Sequence, residues 1–315
     1  MAKYILKKVL YLILTMWIII TATFYLMNTL PGDPIQTGTK ILPPNVEANL
    51  KAKWGLDKPL NERYIIYMKN LLKGEMGESM KNPGQSANDI IREKFPVSAR
   101  LGIQAMIIGS CIGIILGIIS ALKKNSIIDR SIVFFSILGV SIPSFVFAAL
   151  LQKWLGGRLL PIVGWPTENI WLSGWEYTVI PTLAAALGSI ATYSRFMKSS
   201  VLDVLSNDYI LTAKAKGLSN GQIIKRHVLR NSMIPIVTIF APQLAGVVTG
   251  SFVIERIFAI PGLGKYYVES VTVRDFTMIM ATTVFFAFLF IVSMVLMDIL
   301  YCVVDPRVRI ASKER

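Results

Sequence analysis

The richest stretch of this chain is 206–235, S-N-D-Y-I-L-T-A-K-A-K-G-L-S-N-G-Q-I-I-K-R-H-V-L-R-N-S-M-I-P. Its side chains are lysines, arginines, a tyrosine and small alanines, types that dock and hold rather than make or break bonds. The ingredients of catalysis are missing elsewhere. His227 is the one histidine and is flanked by Lys225, Arg226 and Arg230, so no serine–histidine–acid set can be assembled. Gly262-Leu263-Gly264-Lys265 lacks both the spacing and the hydroxyl residue of a phosphate-binding loop. Cys111 and Cys302 sit far apart in apolar runs, without metal-ligand spacing, and read as small packing residues. No catalytic residue, metal or cofactor is expected on this chain.

The elements that carry the basic residues can be read from their ends. Asn207 is placed to cap a helix opening at Asp208, its side chain accepting a free N–H, with the Asp208 charge in the first turn. Lys214 and Lys216 fall in the last turn, Gly217 is a natural left-handed terminator and Leu218 its closing contact. Ser219 opens a second helix, and Gln222 completes a capping box. Asn231 and Ser232 are expected to loosen its end, with Pro235 in the first turn of the next helix. Tyr209, Ala213 and Ala215 give this helix-turn-helix a low-relief surface; Ile224 and Val228 form one stripe, Arg226 and Arg230 another. From the residues alone two readings stay open: a docking element for another protein, or an amphipathic surface helix held to anionic lipid.

Composition says where such an element must sit. Of 315 residues 53% are hydrophobic and 17% charged, and mean hydropathy is +0.55. Soluble domains are about one quarter charged, so this is an integral membrane protein. Six runs are long enough to cross, near 9–30, 99–122, 131–154, 177–194, 235–255 and 278–303. The fold class is therefore all-α, polytopic, with six transmembrane helices. The first run follows Lys3, Lys7 and Lys8, but Pro31-Gly32-Asp33-Pro34 offers no signal-peptidase site, so an uncleaved helix is expected.

The net charge of +14 does not indicate nucleic acid, because the cations flank apolar runs in short loops. Lys123, Lys124 and Arg130, then Arg195, Lys198, Lys214, Lys216, Lys225, Arg226 and Arg230, then Arg307, Arg309, Lys313 and Arg315 mark the cytoplasmic side, together with both termini. The charge-balanced 31–98 segment is placed outside as a small subdomain. This gives a division into 1–95 (first helix and external subdomain), 96–305 (membrane core) and 306–315 (cytoplasmic tail). Pro143, Pro181 and Pro242 break the third, fourth and fifth runs. Gly109, Gly113 and Gly117 form a ladder that allows close helix approach. Pro143, Gln243, Glu255 and Asp298 are candidates for a cavity or gate. Asp298 needs a partner or water inside its apolar run, and Glu255 with Arg256 is placed at the outer end of the fifth helix. Gln104, Gln152 and Gln243 read as interhelical hydrogen-bonding groups or as cavity groups.

T-A-K-A-K-G at 212–217, followed by R-N-S-M-I-P at 230–235, resembles the cytoplasmic loop of binding-protein-dependent ABC-transporter permeases. The usual signature carries E-A-A before the glycine. The glutamate is absent here, a variant similar to the oligopeptide and dipeptide branch. Pro31-Gly32-Asp33-Pro34, Ser141-Ile142-Pro143-Ser144-Phe145, Pro261-Gly262-Leu263-Gly264, Arg274-Asp275, and Asp298-Ile299-Leu300-Tyr301 with Asp305-Pro306-Arg307 resemble the same branch in order. I-L-P-P-N-V-E-A-N-L and W-G-L-D-K-P-L resemble the B-type oligopeptide permease of Gram-positive bacteria.

The resemblance implies a type I ABC importer subunit in a bacterial plasma membrane. It implies a second, C-type permease, two cytoplasmic ATPases that bind ATP and Mg²⁺, an external peptide-binding lipoprotein, and a peptide substrate. The coupling residues would be Tyr209, Thr212, Ala213, Lys214, Ala215, Lys216, Gly217, Arg226 and Arg230. Rival readings are the same architecture for dipeptide, nickel chelate or glutathione, a membrane-embedded enzyme, and a self-sufficient secondary transporter.

Overall fold

Long apolar runs punctuated by proline and glycine, with little alternation of polar and apolar residues, fold as helices. A computed structural model describes residues 2–29, 43–82, 84–166, 171–248 and 252–304, and no β-strand occurs among them beyond two isolated bridges. The helices are α1 (Ala2–Thr29), α2 (Pro44–Lys53), α3 (Leu60–Leu72), α4 (Ala87–Leu122), α5 (Ile127–Ser141), α6 (Ser144–Leu155), α7 (Trp175–Leu205), α8 (Asp208–Ala215), α9 (Asn220–Ile223), α10 (Leu229–Val248), α11 (Phe252–Ile257), α12 (Leu263–Val273) and α13 (Phe276–Val304). A π-helical turn, Ile224–Val228, joins α9 to α10.

Val9–Thr29, Ala87–Leu122 and Phe276–Leu296 are each long and apolar enough to cross a bilayer alone. The run expected at 131–154 is not one helix. α5 ends at Ser141, Ile142 is extended (φ −82°, ψ 121°), and α6 departs at 110°. The cause is Pro143: its ring clashes with a helical preceding residue and drives Ile142 into the β region. The 177–194 run lies inside the longer α7, and the 235–255 run is shared by α10 and α11.

The chain forms two compact units, Met1–Ser98 with Pro261–Ile291, and Ala99–Ile260 with Val292–Arg315. In the first, Phe24 and Met27 of α1 pack with Phe276, Ile279 and Met280 of α13, and Tyr64 and Tyr67 of α3 close over them. The Phe24 and Tyr67 rings stack at 5.5 Å. Asp275 is the knot of this unit. Its carboxylate caps α13 by accepting from Met278 N (3.2 Å) and also accepts from Ser79 Oγ (2.5 Å) and Met80 N (3.2 Å), pinning the 77–82 turn.

In the second unit the glycine ladder does what its spacing predicts. A Cβ on Gly109, Gly113 or Gly117 would lie 2.6 Å from the Cβ of Ser189, Tyr193 or Met197, so α4 and α7 touch at backbone distance in four-residue steps. Such approach is open only to glycine. Gln104 accepts from Thr182 Oγ1 (3.3 Å), and Gln152 donates to the carbonyls of Ile162 (3.1 Å) and Ile257 (3.3 Å). Both glutamines act as ties between segments.

Candidate docking elbow and polar cleft

α8 ends as its sequence specifies. Gly217 has φ +80°, its N–H reaches Lys214 O (2.9 Å) and the Leu218 N–H reaches Ala213 O (3.3 Å). This is the paired closure of a Schellman motif, with glycine where a side chain would strain the backbone. Ser219 then caps α9 reciprocally: its N–H donates to Gln222 Oε1 (3.0 Å) and its hydroxyl accepts from Gln222 N (3.4 Å). Two tight devices back to back, over 213–218 and 219–222, make the elbow stiff.

Three expectations about the elbow are corrected. Asn207 occupies the capping position, but its side chain turns backwards, donating to Asp203 O (2.8 Å) and Val204 O (3.4 Å). It satisfies the carbonyls left open where α7 ends rather than the N–H groups where α8 begins. The second helix does not loosen at Asn231 and Ser232. α9, the π turn and α10 form one continuous helix, and Pro235 is carried inside it. The Leu229 N–H reaches back five residues to Ile224 O, the mark of a π turn. Finally, Ala213 is not part of a partner-facing surface. It is 6% exposed and belongs to a core with Tyr193, Met197, Val201, Ile210, Ile223 and Val228. Its fourth-residue relation to Tyr209 is outweighed by the burial of Ile210 one residue later on the same helix.

The remaining elbow residues face outward: Tyr209, Thr212, Lys214, Ala215, Lys216, Gly217, Arg226 and Arg230 are all exposed, with Leu211 beside them at 62%. None of Lys214, Lys216, Lys225, Arg226 and Arg230 is in an ion pair among the described residues. Tyr209 is fixed by accepting from Asn231 Nδ2 (3.0 Å), and its ring lies 6.4 Å from that of His227. The elbow thus presents an open cationic face around a braced tyrosine on a welded apolar base.

Of the four cavity candidates, two come together. Pro143 and Gln243 line a cleft of about 420 Å³ with Ser144, Gly188, Ser189 and Thr192. Gln243 Oε1 has no donor among the described residues. Glu255 does not line that cleft. It is fully buried in α11, whereas Arg256 is exposed, so the two do not lie on one side. The Asp298 and Pro242 side chains, Gly250, and the motifs at 31–34 and 305–307 lie outside the described residues.

Sequence reasoning missed two ties. Asp129 accepts from Ser120 Oγ (2.5 Å), Lys198 Nζ (2.6 Å) and Asn125 N (2.9 Å), clamping the α4–α5 turn to α7. Asp129 and Lys198 are opposite charges separated by 69 residues, and no local pattern links them. Ser200 and Ser232, both buried, join α7 to α10.

Residues 113–310 match the family described as binding-protein-dependent transport system inner membrane component, and residues 1–101 match the N-terminal domain of such membrane components. The chain belongs to this family. It is an inner-membrane component of a binding-protein-dependent transport system, a permease. The dipeptide transport system permease proteins DppB of Lactococcus lactis and Bacillus subtilis are each 42% identical to it, over 98% and 99% of this chain and 100% of theirs. The oligopeptide transport system permease protein OppB of Haemophilus influenzae is 39% identical over 98% of this chain and 100% of its own. Among solved structures, the MetNI methionine ABC transporter in an inward-facing conformation aligns with TM-score 0.55 at 16% identity, over 69% of this permease and 96% of that chain. An amino acid ABC transporter aligns at 0.51 and 14% identity, over 68% and 94%. The permease therefore has the all-helical fold of ABC importer membrane subunits.

Proposed function

We propose that this permease forms, with a second C-type permease, the pathway of an ATP-driven peptide importer. ATP and Mg²⁺ are bound and hydrolysed by two cytoplasmic ATPases, and an external binding lipoprotein delivers the cargo. Peptide is the class shared by the dipeptide and oligopeptide names of the relatives above. Six crossings, with the elbow and both termini in the cytoplasm, complete the arrangement.

One observation carries the coupling role. The capped elbow runs without a joint through the π turn into α10, and α10 carries Gln243 into the polar cleft. A displacement at Lys214, Ala215 or Arg226 is delivered to a membrane helix instead of being lost in a loop. ATPase closure shifts the inward–outward equilibrium only by its differential affinity for the two elbow positions. Moving it from 1:99 to 99:1 takes about 5.5 kcal/mol, which a stiff element can transmit.

Reconstitution with the ATPases, the second permease and the binding protein in vesicles is expected to give peptide accumulation that requires ATP. Accumulation by the permease alone without ATP would establish a secondary transporter instead. Labelling of Lys214 and Lys225 from outside intact cells would overturn the orientation.

A further inference from the structure

The first unit contains a cleft of about 390 Å³, lined by the end of α1, the α2–α3 connection and the start of α13. Phe24, Trp54, Tyr67, Phe276 and Met280 give it apolar and aromatic walls. Its charged lining has both signs, and part of it is already matched: Lys53 pairs with Glu78 (3.0 Å) and Lys58 with Glu62 (3.0 Å). Arg63 and Glu75 are left. The Arg63 guanidinium donates to Asn28 Oδ1 and meets no carboxylate among the described residues. Burial pulls its pKa below the ordinary guanidinium value. That is the direction expected of a cation desolvated without an anion beside it. Glu75 is exposed and is in no ion pair among the described residues. Trp54 Nε1 is buried with no acceptor among them.

An unmatched cation and an unmatched anion on one aromatic cleft are complementary to a small molecule that carries both charges. We propose that this cleft is a second peptide site, taking a short zwitterionic peptide with its C-terminal carboxylate on Arg63 and its α-ammonium at Glu75. The site rests on the peptide-importer reading for its cargo class, and adds a place on the permease's own first unit where that cargo is held. Clefts that bury small ligands measure roughly 300–1,000 Å³, so this one suits a peptide of two or three small residues and excludes longer ones unless an end projects. A guanidinium fork reads a carboxylate by two parallel bonds, which makes the free C-terminus the discriminating feature.

The test is equilibrium dialysis of L-alanyl-L-alanine against the full-length permease in lipid nanodiscs, with N-acetylated and C-amidated alanyl-alanine as probes. Saturable binding is expected, weakened about tenfold or more by either blocking group and by Arg63→Gln or Glu75→Gln. Glu75→Gln sits at an exposed position and leaves the fold intact, so it remains decisive if Arg63→Gln fails to fold. Absent binding, or binding indifferent to Glu75→Gln and to N-acetylation, overturns the site. ATP-driven uptake by the assembled transporter is scored separately. Uptake that persists without nanodisc binding removes this cleft alone, whereas loss of wild-type uptake removes the importer reading.

Discussion

Ser200 and Ser232 hydrogen-bond each other's backbone. The Ser200 hydroxyl donates to Ser232 O at 2.9 Å, and the Ser232 hydroxyl donates to Ser200 O at 3.4 Å. Both are buried, one on α7 and one on α10, at the root of the elbow. Replacing both with alanine removes two bonds worth about 0.5–1.5 kcal/mol each. The double variant should melt a few degrees lower and hydrolyse more ATP per peptide imported. Unchanged melting and stoichiometry in the reconstituted transporter would show that the pair bears no load.

Gly217→Val isolates the backbone. Nothing lies within 4 Å of a Cβ at this site, so the whole penalty comes from φ +80°. A left-handed residue other than glycine costs about 1–2 kcal/mol. Membrane insertion should be normal and ATP-dependent uptake reduced. Full uptake would mean the terminator is dispensable.

Ala213 and Ala215 separate folding from docking. Ala213→Arg forces a charge into the elbow core and should lower expression and thermal stability by several kcal/mol, the scale for an unpaired buried charge. Ala215→Arg adds bulk to an exposed position and should leave stability within about 0.5 kcal/mol while reducing co-purification of the ATPases. Wild-type ATPase recovery with Ala215→Arg would move the docking surface elsewhere.

Gly113→Ala tests the α4–α7 seam. The new methyl would meet Tyr193 Cβ at 2.6 Å and Ile190 O at 2.7 Å, and both are backbone-fixed. Overpacking of this kind costs about 1–3 kcal/mol. The variant should show a depressed melting temperature in detergent; Gly188→Ala on α7, with open space around its Cβ, is the control and should hold or raise it.

The first unit should loosen in acid. The backbone N–H of Gly84 and then the Lys53 ammonium hold the Glu78 carboxyl below its ordinary pKa. A depressed pKa stabilises the fold above the unfolded carboxyl's pKa, near 4.5. That stabilisation disappears as pH falls through the folded value. Proteolysis of the 77–86 turn should therefore quicken below about pH 4 in the wild type, and Glu78→Gln should flatten the profile. An identical profile in the variant would assign the acid sensitivity to another group.

Local signals survived folding and non-local ones had no voice in the sequence. Gly217, Ser219 and Gln222 act within six residues, and their motif formed as read. The glycine ladder named its helix but not its partner, because only packing selects α7. Asn207 had two helix ends within reach, and propensity alone could not choose between them. Ala213 was assigned by residue type, whereas its burial is set by Tyr193, Met197 and Val201 arriving from α7. Pro143 announced a bend but not its size, which depended on Ile142 leaving the helix altogether. Asp129 with Lys198, and Ser79 with Asp275, are contacts across 69 and 196 residues that leave no periodic trace.

The wide turn at Ile224–Val228 has a mechanical meaning. It holds one surplus residue in an otherwise regular rod, which offsets the side chains on its two sides by about 100° around the rod's axis. The wide turn thus sets how the elbow tip is clocked about the axis of α10, and removing one residue from it would rotate the two against each other.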